Sequence, residues 1–241
     1  MVNVLIIGAN SKMVENLIIE INSNKENKLH LFVNNLEKFE SSLGSKLDLS
    51  RINIYKCDLY TDEVYEQLKS IKDTIDAFCY VSGVTKISLV KFLKKEDIES
   101  VFEINFYKPL FITQHLLKLK LLKNNSNVVF VSSISGIGNV APGITTYSTS
   151  KAALNNLVKV LTLECKNLKI KFNTVCPGIV ATDFNVDIDK LKSNQDDQLI
   201  NRYPLGYGVP SDIDSLIKYL LINNTWISGQ NIIIDGGFNT N

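Results

Sequence analysis

The chain has few of the side chains that usually carry metal or nucleophilic chemistry. Histidine occurs only twice among the 241 residues, which leaves little from which to build a histidine-based catalytic triad or a histidine-rich metal site. The four cysteines are widely spaced and form no C-x-x-C pair, so we expect reduced thiols and no metal centre. These residues are His30, His115, Cys57, Cys79, Cys165 and Cys176.

Long apolar runs and an excess of one charge are also missing. The longest apolar runs are only as long as a strand, so no segment is expected to span a bilayer. The stretch MVNVLIIG lacks the charged leader and the length of a signal peptide, which predicts a cytoplasmic protein. The 26 basic and 25 acidic residues give a net charge of +1, which argues against nucleic acid or an anionic membrane as the main partner.

Glycine is scarce at the one turn where several would be expected. The stretch LIIGANSKMVENLIIE, residues 5–20, is typical of a strand that turns at Gly8 and enters a helix, as a dinucleotide-binding unit begins. Such units normally carry three glycines at this turn, whereas Lys12 and Val14 occupy the expected second and third positions. The turn is therefore either a working nucleotide site with substitutions or a turn that binds nothing.

Short β-branched runs alternate with helix-length segments along the whole chain. Most runs are apolar throughout, which is typical of parallel strands covered on both faces. The alternation predicts an α/β fold, a Rossmann-type doubly wound parallel sheet of about seven strands flanked by helices on both faces. We expect a single domain over 1–241, with the polar segment 183–204 as a substrate lid. The predicted strands are 2–7, 29–33, 52–56, 75–81, 127–132, 170–175 and 231–235, and the predicted helices are 12–24, 61–71, 95–122, 146–168 and 211–222.

The stretch TTYSTSKAAL carries a candidate acid-base pair at the start of the helix after the fifth strand. Tyr147 and Lys151 are four residues apart, so they share a helix face. A nearby ammonium favours a phenolate and would lower the tyrosine pKa, which suits proton transfer to a carbonyl oxygen. The same spacing also occurs in ordinary amphipathic helices, so the pair is weak on its own.

Other residues strengthen this interpretation. Ser133 ends the preceding strand in VSSISGIG, fourteen residues before Tyr147, where its hydroxyl could bind a substrate carbonyl. Asn105 lies within the helical stretch INFYKP, where a buried asparagine favours a hydrogen-bonding role or a kink held by water. A further strand ends at Pro177–Gly178 in NTVCPGIVATDF.

In their order and spacing these features resemble the short-chain dehydrogenase/reductase family over essentially the whole chain. The resemblance implies hydride transfer between a nicotinamide and a substrate carbon, with Tyr147 as general acid-base. Lys151 would hold the nicotinamide ribose and lower the tyrosine pKa, Ser133 would orient the carbonyl, and Asn105 would hold a water in a proton relay. The resemblance rests on Tyr147-x-x-x-Lys151, Ser133, Asn105, Asn173, Pro177–Gly178 and the terminal IDGG.

The family pattern at the first turn is roughly G-x-x-x-G-x-G. Against it, Lys12 narrows the approach to a pyrophosphate, and Val14 demands a slightly displaced helix. The helix N-terminus still offers free amides and a positive dipole end to a phosphate, and Lys12 can add charge. We expect cofactor binding, with a decayed loop that binds weakly or not at all as the alternative. The predicted phosphate-side residues are Gly8, Asn10, Ser11, Lys12 and Met13.

The end of the second strand bears on the choice between NAD and NADP. An NAD enzyme usually has an acid there, but this chain has Asn34 and Asn35, and neither an acid nor an arginine. Lys12 and Lys38 could supply charge to a 2′-phosphate, so NADP(H) is favoured and NAD(H) is the alternative.

The resemblance implies further cofactor contacts along the strand ends. Asp58 could instead cap a helix before Thr61, and the two roles are compatible. The stretch YVSG at 80–83 stands where the family often has NNAG, so Tyr80 and Val81 replace two stabilising asparagines. The implied contacts are Asp58, Leu59, Ser82, Gly83, Tyr147, Lys151, Pro177, Gly178, Val180 and Thr182.

The sequence thus predicts an NAD(P)(H)-dependent oxidoreductase that interconverts a ketone and a secondary alcohol. Within the family the resemblance is to 3-oxoacyl-carrier-protein reductases and sugar ketoreductases, which implies a small-molecule carbonyl or alcohol substrate and a homo-tetramer or homo-dimer. Two alternatives remain: a non-catalytic binding or regulatory protein on this scaffold, and a redox-neutral, sugar-modifying enzyme such as an epimerase or dehydratase.

Overall fold

The computed structural model describes residues 2–182 and 200–240. Within them, seven parallel strands form one sheet in the order β3-β2-β1-β4-β5-β6-β7, which confirms the predicted doubly wound architecture. No helix in these residues has the length and apolar character needed to cross a bilayer. The strands are β1 (Asn3–Ile7), β2 (Lys28–Val33), β3 (Ile52–Lys56), β4 (Ile75–Tyr80), β5 (Leu122–Val131), β6 (Lys171–Pro177) and β7 (Asn231–Ile234).

The central strands are apolar throughout because both of their faces are buried. Along β1, Val4 and Ile6 belong to one hydrophobic cluster, whereas Leu5 and Ile7 belong to the other. Successive side chains of a strand point to opposite faces, so each face needs its own apolar set. The two clusters are the two layers of core on either side of the sheet.

Helices cover both faces. The first cluster includes residues of α1, α2 and α7, and the second includes residues of α3, α5 and α6. The helices are α1 (Glu15–Ser23), α2 (Leu36–Leu43), α3 (Glu63–Ser70), α4 (Lys95–Phe102), α5 (Lys108–Lys118), α6 (Thr145–Glu164) and α7 (Pro210–Lys218).

Three local features differ from the sequence prediction. Helix α2 is absent from it, because its eight residues are mostly polar and show only a short apolar spacing through Phe39 and Leu43. The single helix predicted over 95–122 is α4 and α5 joined by a π-helical turn, Glu103–Tyr107. Strand β5 starts at Leu122, five residues before the predicted 127.

The winding of the sheet reverses between β1 and β4, which pair directly through Val4 and Ala77. Ligands of doubly wound sheets bind at the carboxyl ends of the strands near such a reversal. Most of the predicted lid 183–204 lies outside the described residues, and of that segment only 200–204 can be placed.

Candidate active site

A cavity of about 1130 Å³ runs along the carboxyl ends of the strands. It exceeds the roughly 300–1,000 Å³ typical of small-molecule sites, so it has room for a dinucleotide together with a substrate. Every predicted cofactor residue and three of the four predicted catalytic residues line it. These are Gly8, Asn10, Ser11, Lys12, Met13, Asn34, Asn35, Asp58, Leu59, Ser82, Gly83, Ser133, Tyr147, Lys151, Pro177, Gly178, Val180 and Thr182.

The turn after β1 needs glycine at its first position. Gly8 has φ +93°, a backbone conformation that L side chains rarely adopt. A Cβ on Gly8 would lie 2.4 Å from Ser82 Oγ and 2.8 Å from the Ser82 nitrogen. The absence of a side chain therefore lets the turn after β1 lie directly against the end of β4.

The two substituted positions of the glycine pattern are accommodated by a 3-10 turn, Lys12–Val14, ahead of α1. The predicted helix start at residue 12 is therefore three residues early, since α1 begins at Glu15. Val14 is fully buried in the same cluster as Ile213 and Ile217 of α7, so its bulk packs into the core. Lys12 is exposed and lines the cavity.

The amides of this turn are less available than the sequence suggests. The Ser11 N–H donates to the Gly8 carbonyl, and the Val14 N–H donates to the Ser11 carbonyl. The Met13 N–H donates to Ser11 Oγ at 3.3 Å. The expectation that the helix N-terminus offers free amides is wrong for these three groups, because the tight turn uses them internally.

Asn10 joins the loops that follow β1 and β2. Its Oδ1 accepts hydrogen bonds from the N–H groups of Asn34 at 3.0 Å and Asn35 at 3.2 Å. Its Nδ2 donates to the Asn35 carbonyl at 2.8 Å. The Asn35 side chain in turn caps α2 by accepting the Lys38 N–H at 2.8 Å. These side chains thus shape the cavity wall, and the exposed Lys38 also lines it.

Asp58 orders the turn after β3. Its Oδ1 accepts the Tyr60 N–H at 2.8 Å, and its carbonyl accepts the Thr61 N–H and hydroxyl. The interpretation of Asp58 as a helix cap is wrong, because α3 begins at Glu63 with Asp62 at its N-cap position.

Tyr147 and Ser133 meet at one end of the cavity. Tyr147 lies in the first turn of α6, and Ser133 is the second residue after β5. Burial raises the pKa of Tyr147, and a side-chain hydrogen bond with Ser133 acts in the opposite direction. The predicted lowering of the tyrosine pKa by Lys151 is therefore not observed, because desolvation of the phenol outweighs the opposing hydrogen bond.

Lys151 is almost fully buried beneath Tyr147. Its Nζ donates to the Val131 carbonyl at 2.8 Å and lies 5.8 Å from the centre of the Tyr147 ring, over its face. Burial lowers the pKa of Lys151 from its ordinary value of 10.5 to about 8. A Cβ on Gly83 would lie 3.2 Å from this ammonium, so glycine keeps the space beside it open.

Asn105 is fully buried and does not line the cavity, but it contacts residues that do. Its side-chain amide accepts the Val84 N–H and donates to the Val84 carbonyl, both at 2.9 Å. Its Nδ2 also donates to Ser150 Oγ at 3.0 Å, and that hydroxyl donates to the Tyr147 carbonyl at 2.8 Å. The buried asparagine thus forms hydrogen bonds with Val84 and Ser150, and its place in a proton relay stays a prediction.

The end of β6 packs against the C-terminal segments. A Cβ on Gly178 would lie 3.0 Å from both the Asp235 Cα and Tyr203 Cε1, so a side chain there would push these neighbours back by a few tenths of an ångström. The Ile179 N–H donates to the Tyr203 hydroxyl at 3.2 Å. Val180 pairs with Gly208 in an isolated bridge, which fixes the chain leading to Thr182.

Two further cavity residues, Arg202 and Phe238, were not predicted from the sequence. The guanidinium of Arg202 lies 4.2 Å from the centre of the Phe238 ring, and Tyr203 packs on that ring at 4.5 Å. Arg202 and Phe238 both line the cavity. The two are 36 residues apart and fit no motif, so only the fold brings them together.

Asn173, one of the residues on which the resemblance rests, has a structural role. Asn173 binds the loop before β7, donating to the Ile227 carbonyl and accepting the Gln230 N–H. Within residues 2–182 and 200–240, no three or more histidine, cysteine, aspartate or glutamate side chains are grouped to hold a metal ion.

Comparisons with known proteins agree with this geometry. A family profile described as enoyl-(acyl carrier protein) reductase matches residues 25–239. The 3-oxoacyl-[acyl-carrier-protein] reductase FabG of Rickettsia prowazekii is 31% identical over 236 residues, which cover 97% of this chain and 95% of that protein. A short chain dehydrogenase family protein from Francisella tularensis has the same fold, with a TM-score of 0.87 at 22% identity over 100% of both chains. The structure of ElxO with NADP bound has a TM-score of 0.85 at 24% identity, over 100% of this chain and 99% of that one.

The profile match, the identity to a curated relative over nearly the whole chain and the shared fold confirm the resemblance seen in the sequence. The chain is an oxidoreductase that belongs to the short-chain dehydrogenase/reductase family.

Proposed function

We propose that the protein is an NADP(H)-dependent reductase that converts a ketone to a secondary alcohol, with Tyr147 as the proton donor. The observation that carries the proposal is the convergence of Tyr147, Ser133 and Lys151 at one end of the cavity, with the lysines Lys12 and Lys38 lining the same cavity. Acid-base groups and cationic groups therefore share one continuous space.

The residues at the catalytic end suit the reductive direction. The raised pKa keeps the Tyr147 phenol protonated at neutral pH, so it can donate a proton to an oxygen that gains negative charge. Ser133, whose side chain hydrogen-bonds the phenol, would hold the substrate carbonyl beside it. The buried ammonium of Lys151 would stabilise negative charge that develops on the phenol.

The cavity also fits a nicotinamide dinucleotide. When bound, this cofactor supplies the hydride. The absence of a side chain at Gly83 leaves space beside Lys151, and the basic residues around the cavity match an anion. Among the described lining residues, five are basic and one is acidic: Lys12, Lys38, Lys86, Lys151 and Arg202 against Asp58.

This charge pattern supports NADP(H) over NAD(H). The exposed Lys12 and Lys38 are the residues we propose to attract a 2′-phosphate, and no carboxylate stands at Asn34 or Asn35 to repel it. Because the turn amides of Ser11, Met13 and Val14 donate internally, we propose that lysine charge carries more of the phosphate binding than in a glycine-rich turn.

The substrate class that we propose first is a 3-oxoacyl thioester. The 31% identity to a relative named 3-oxoacyl-[acyl-carrier-protein] reductase over almost the whole chain supports it. Apolar side chains near the catalytic end, Ile87, Ile134 and Val140, line the cavity and suit a short acyl chain.

The test combines binding with turnover. Titration of the purified protein with NADPH and with NADH, followed by nicotinamide fluorescence, should show tighter binding of NADPH. After acetoacetyl-CoA is added, NADPH should be oxidised in a one-to-one ratio with the formation of the hydroxyacyl product. A protein that binds neither nucleotide at millimolar concentration would favour the non-catalytic alternative, and product formed without net oxidation would favour the redox-neutral one.

We also propose a dimer or tetramer formed through the outer faces of α4, α5 and α6. Large apolar residues are exposed there: Ile98, Phe111, Val160 and Leu163 are 40–72% accessible. Contiguous exposed apolar surface is typical of interaction sites. Light scattering of the purified protein would report its mass directly, and a monomer at micromolar concentration would contradict this assembly.

A further inference from the structure

The π-helical turn between α4 and α5 leaves one buried carbonyl without its helical donor. In the turn, the Lys108 N–H donates to the Glu103 carbonyl rather than to the Ile104 carbonyl four residues back. The next residue, Pro109, has no N–H to give. The Ile104 carbonyl therefore receives no hydrogen bond from Lys108 or Pro109, the residues four and five positions further along.

Tyr80 supplies the missing donor. Its hydroxyl, at the end of β4, donates to the Ile104 carbonyl at 2.7 Å. Tyr80 is fully buried and Ile104 nearly so, so no water replaces this hydrogen bond readily. A buried carbonyl that loses such a partner is strongly unfavourable, which ties the π-helical turn to the end of β4.

The residue after Ile104 is the buried Asn105, whose amide organises the catalytic end. It binds both backbone groups of Val84, a residue that lines the cavity, and it donates to Ser150. Ser150 donates to the carbonyl of Tyr147. A continuous set of contacts thus leads from Tyr80 through the π-helical turn to the backbone of Tyr147.

We propose that Tyr80 is a positioning residue for the reaction. Its hydroxyl compensates for the donor that the turn and Pro109 remove, and so fixes Asn105 against Val84 and Ser150. The proposal rests on the proposed function, because the groups being positioned surround Tyr147. It concerns this chain in particular, since a tyrosine stands where the family pattern NNAG has an asparagine.

The test is Tyr80→Phe, which keeps the buried ring and removes only the hydroxyl. Tyr55→Phe is the matched control, because the Tyr55 hydroxyl also has a hydrogen-bond partner, His30 Nδ1 at 3.3 Å, and does not line the cavity. Exchange of the Val84 amide hydrogen reports on Asn105 directly, since Asn105 Oδ1 accepts that N–H.

We expect Tyr80→Phe to speed exchange at Val84 by about tenfold or more and to lower kcat by about tenfold, because small misplacements of catalytic groups cost large factors in rate. KM for NADPH should stay within about twofold, and Tyr55→Phe should change neither exchange at Val84 nor kcat. Adding Pro109→Ala to Tyr80→Phe returns an N–H near the Ile104 carbonyl. The double variant should therefore recover most of the protection of the Val84 amide and most of kcat.

Unchanged exchange at Val84 in Tyr80→Phe would overturn the proposal, as would faster exchange with an unchanged kcat. Equal effects in Tyr55→Phe, or no recovery in the double variant, would also overturn it. If the unmodified protein reduced no carbonyl substrate, the proposed function would fail. The exchange measurement would still decide whether Tyr80 holds Asn105.

Discussion

Replacing Lys151 by methionine should separate the stability of the protein from its activity. Burial lowers the pKa of Lys151 to about 8 from 10.5, so the folded state disfavours the charged form. Each pKa unit corresponds to about 1.4 kcal/mol, so this difference corresponds to about 3 kcal/mol of destabilisation while the lysine is charged. Methionine removes the buried charge but leaves the Val131 carbonyl without its donor, which costs about 1–3 kcal/mol.

The direction of the stability difference follows from how the protonation of Lys151 depends on pH. Between about pH 8 and pH 10.5 the unfolded chain binds more protons at this lysine than the folded chain does, so stability rises with pH. The destabilisation is full below about pH 8 and disappears as pH approaches 10.5. At pH 7, Lys151→Met should therefore be at least as stable as the unmodified protein, although its turnover should collapse.

Urea unfolding of both proteins at pH 7 and near pH 10 measures the effect. Contributions of other groups largely cancel when the two unfolding free energies are subtracted, so the difference reports on Lys151. We expect the stability of the unmodified protein relative to the variant to increase by about 2–3 kcal/mol over this range. A difference that does not change with pH would refute the argument that Lys151 is held in a buried, destabilising site.

Two other predictions concern the turn after β1 and the proposed binding of the 2′-phosphate. Gly8→Ala should destabilise the protein by about 2–4 kcal/mol in urea unfolding, because it combines an unfavourable φ with a clash against Ser82. The control is Gly206→Ala, at φ +74° with open space around it, which should lose only about 1–2 kcal/mol of stability. Equal losses in the two variants would show that the clash is unimportant. Lys38→Gln should weaken NADPH binding by about tenfold and leave NADH binding nearly unchanged in fluorescence titrations, whereas equal weakening of both nucleotides would place Lys38 away from the 2′-phosphate.

The sheet and the placement of Tyr147 and Lys151 could be predicted because simple spacing rules determine them. A strand buried on both faces has to be apolar throughout, as Val4 to Ile7 are, so the sequence reveals it directly. Tyr147 and Lys151 share a helix face because of their four-residue spacing, and the structure brings both to the cavity. Local patterns were sufficient for these features.

Other features depend on contacts between distant segments. The role of Asn10 required its partners Asn34 and Asn35, which follow a different strand. The accommodation of Val14 required knowledge that α7 packs over that turn. The effect of burial on the Tyr147 pKa likewise depends on the finished fold rather than on the neighbouring lysine in the sequence.

The π-helical turn could have been suspected from Pro109, because a proline removes a helical donor in an otherwise long helical segment. Its partner Tyr80 could not, since 24 residues separate the tyrosine from the carbonyl that it binds. Arg202 and Phe238 show the same limit, because their stacking joins segments that no motif connects.

The most direct measurement compares Tyr147→Phe with the unmodified protein for NADPH affinity and for reduction of acetoacetyl-CoA at saturating NADPH. We expect a loss of at least about a hundredfold in kcat, because we propose the phenol as the proton donor, with the NADPH dissociation constant changed by less than about threefold. Turnover by Tyr147→Phe at a rate near that of the unmodified protein would contradict it.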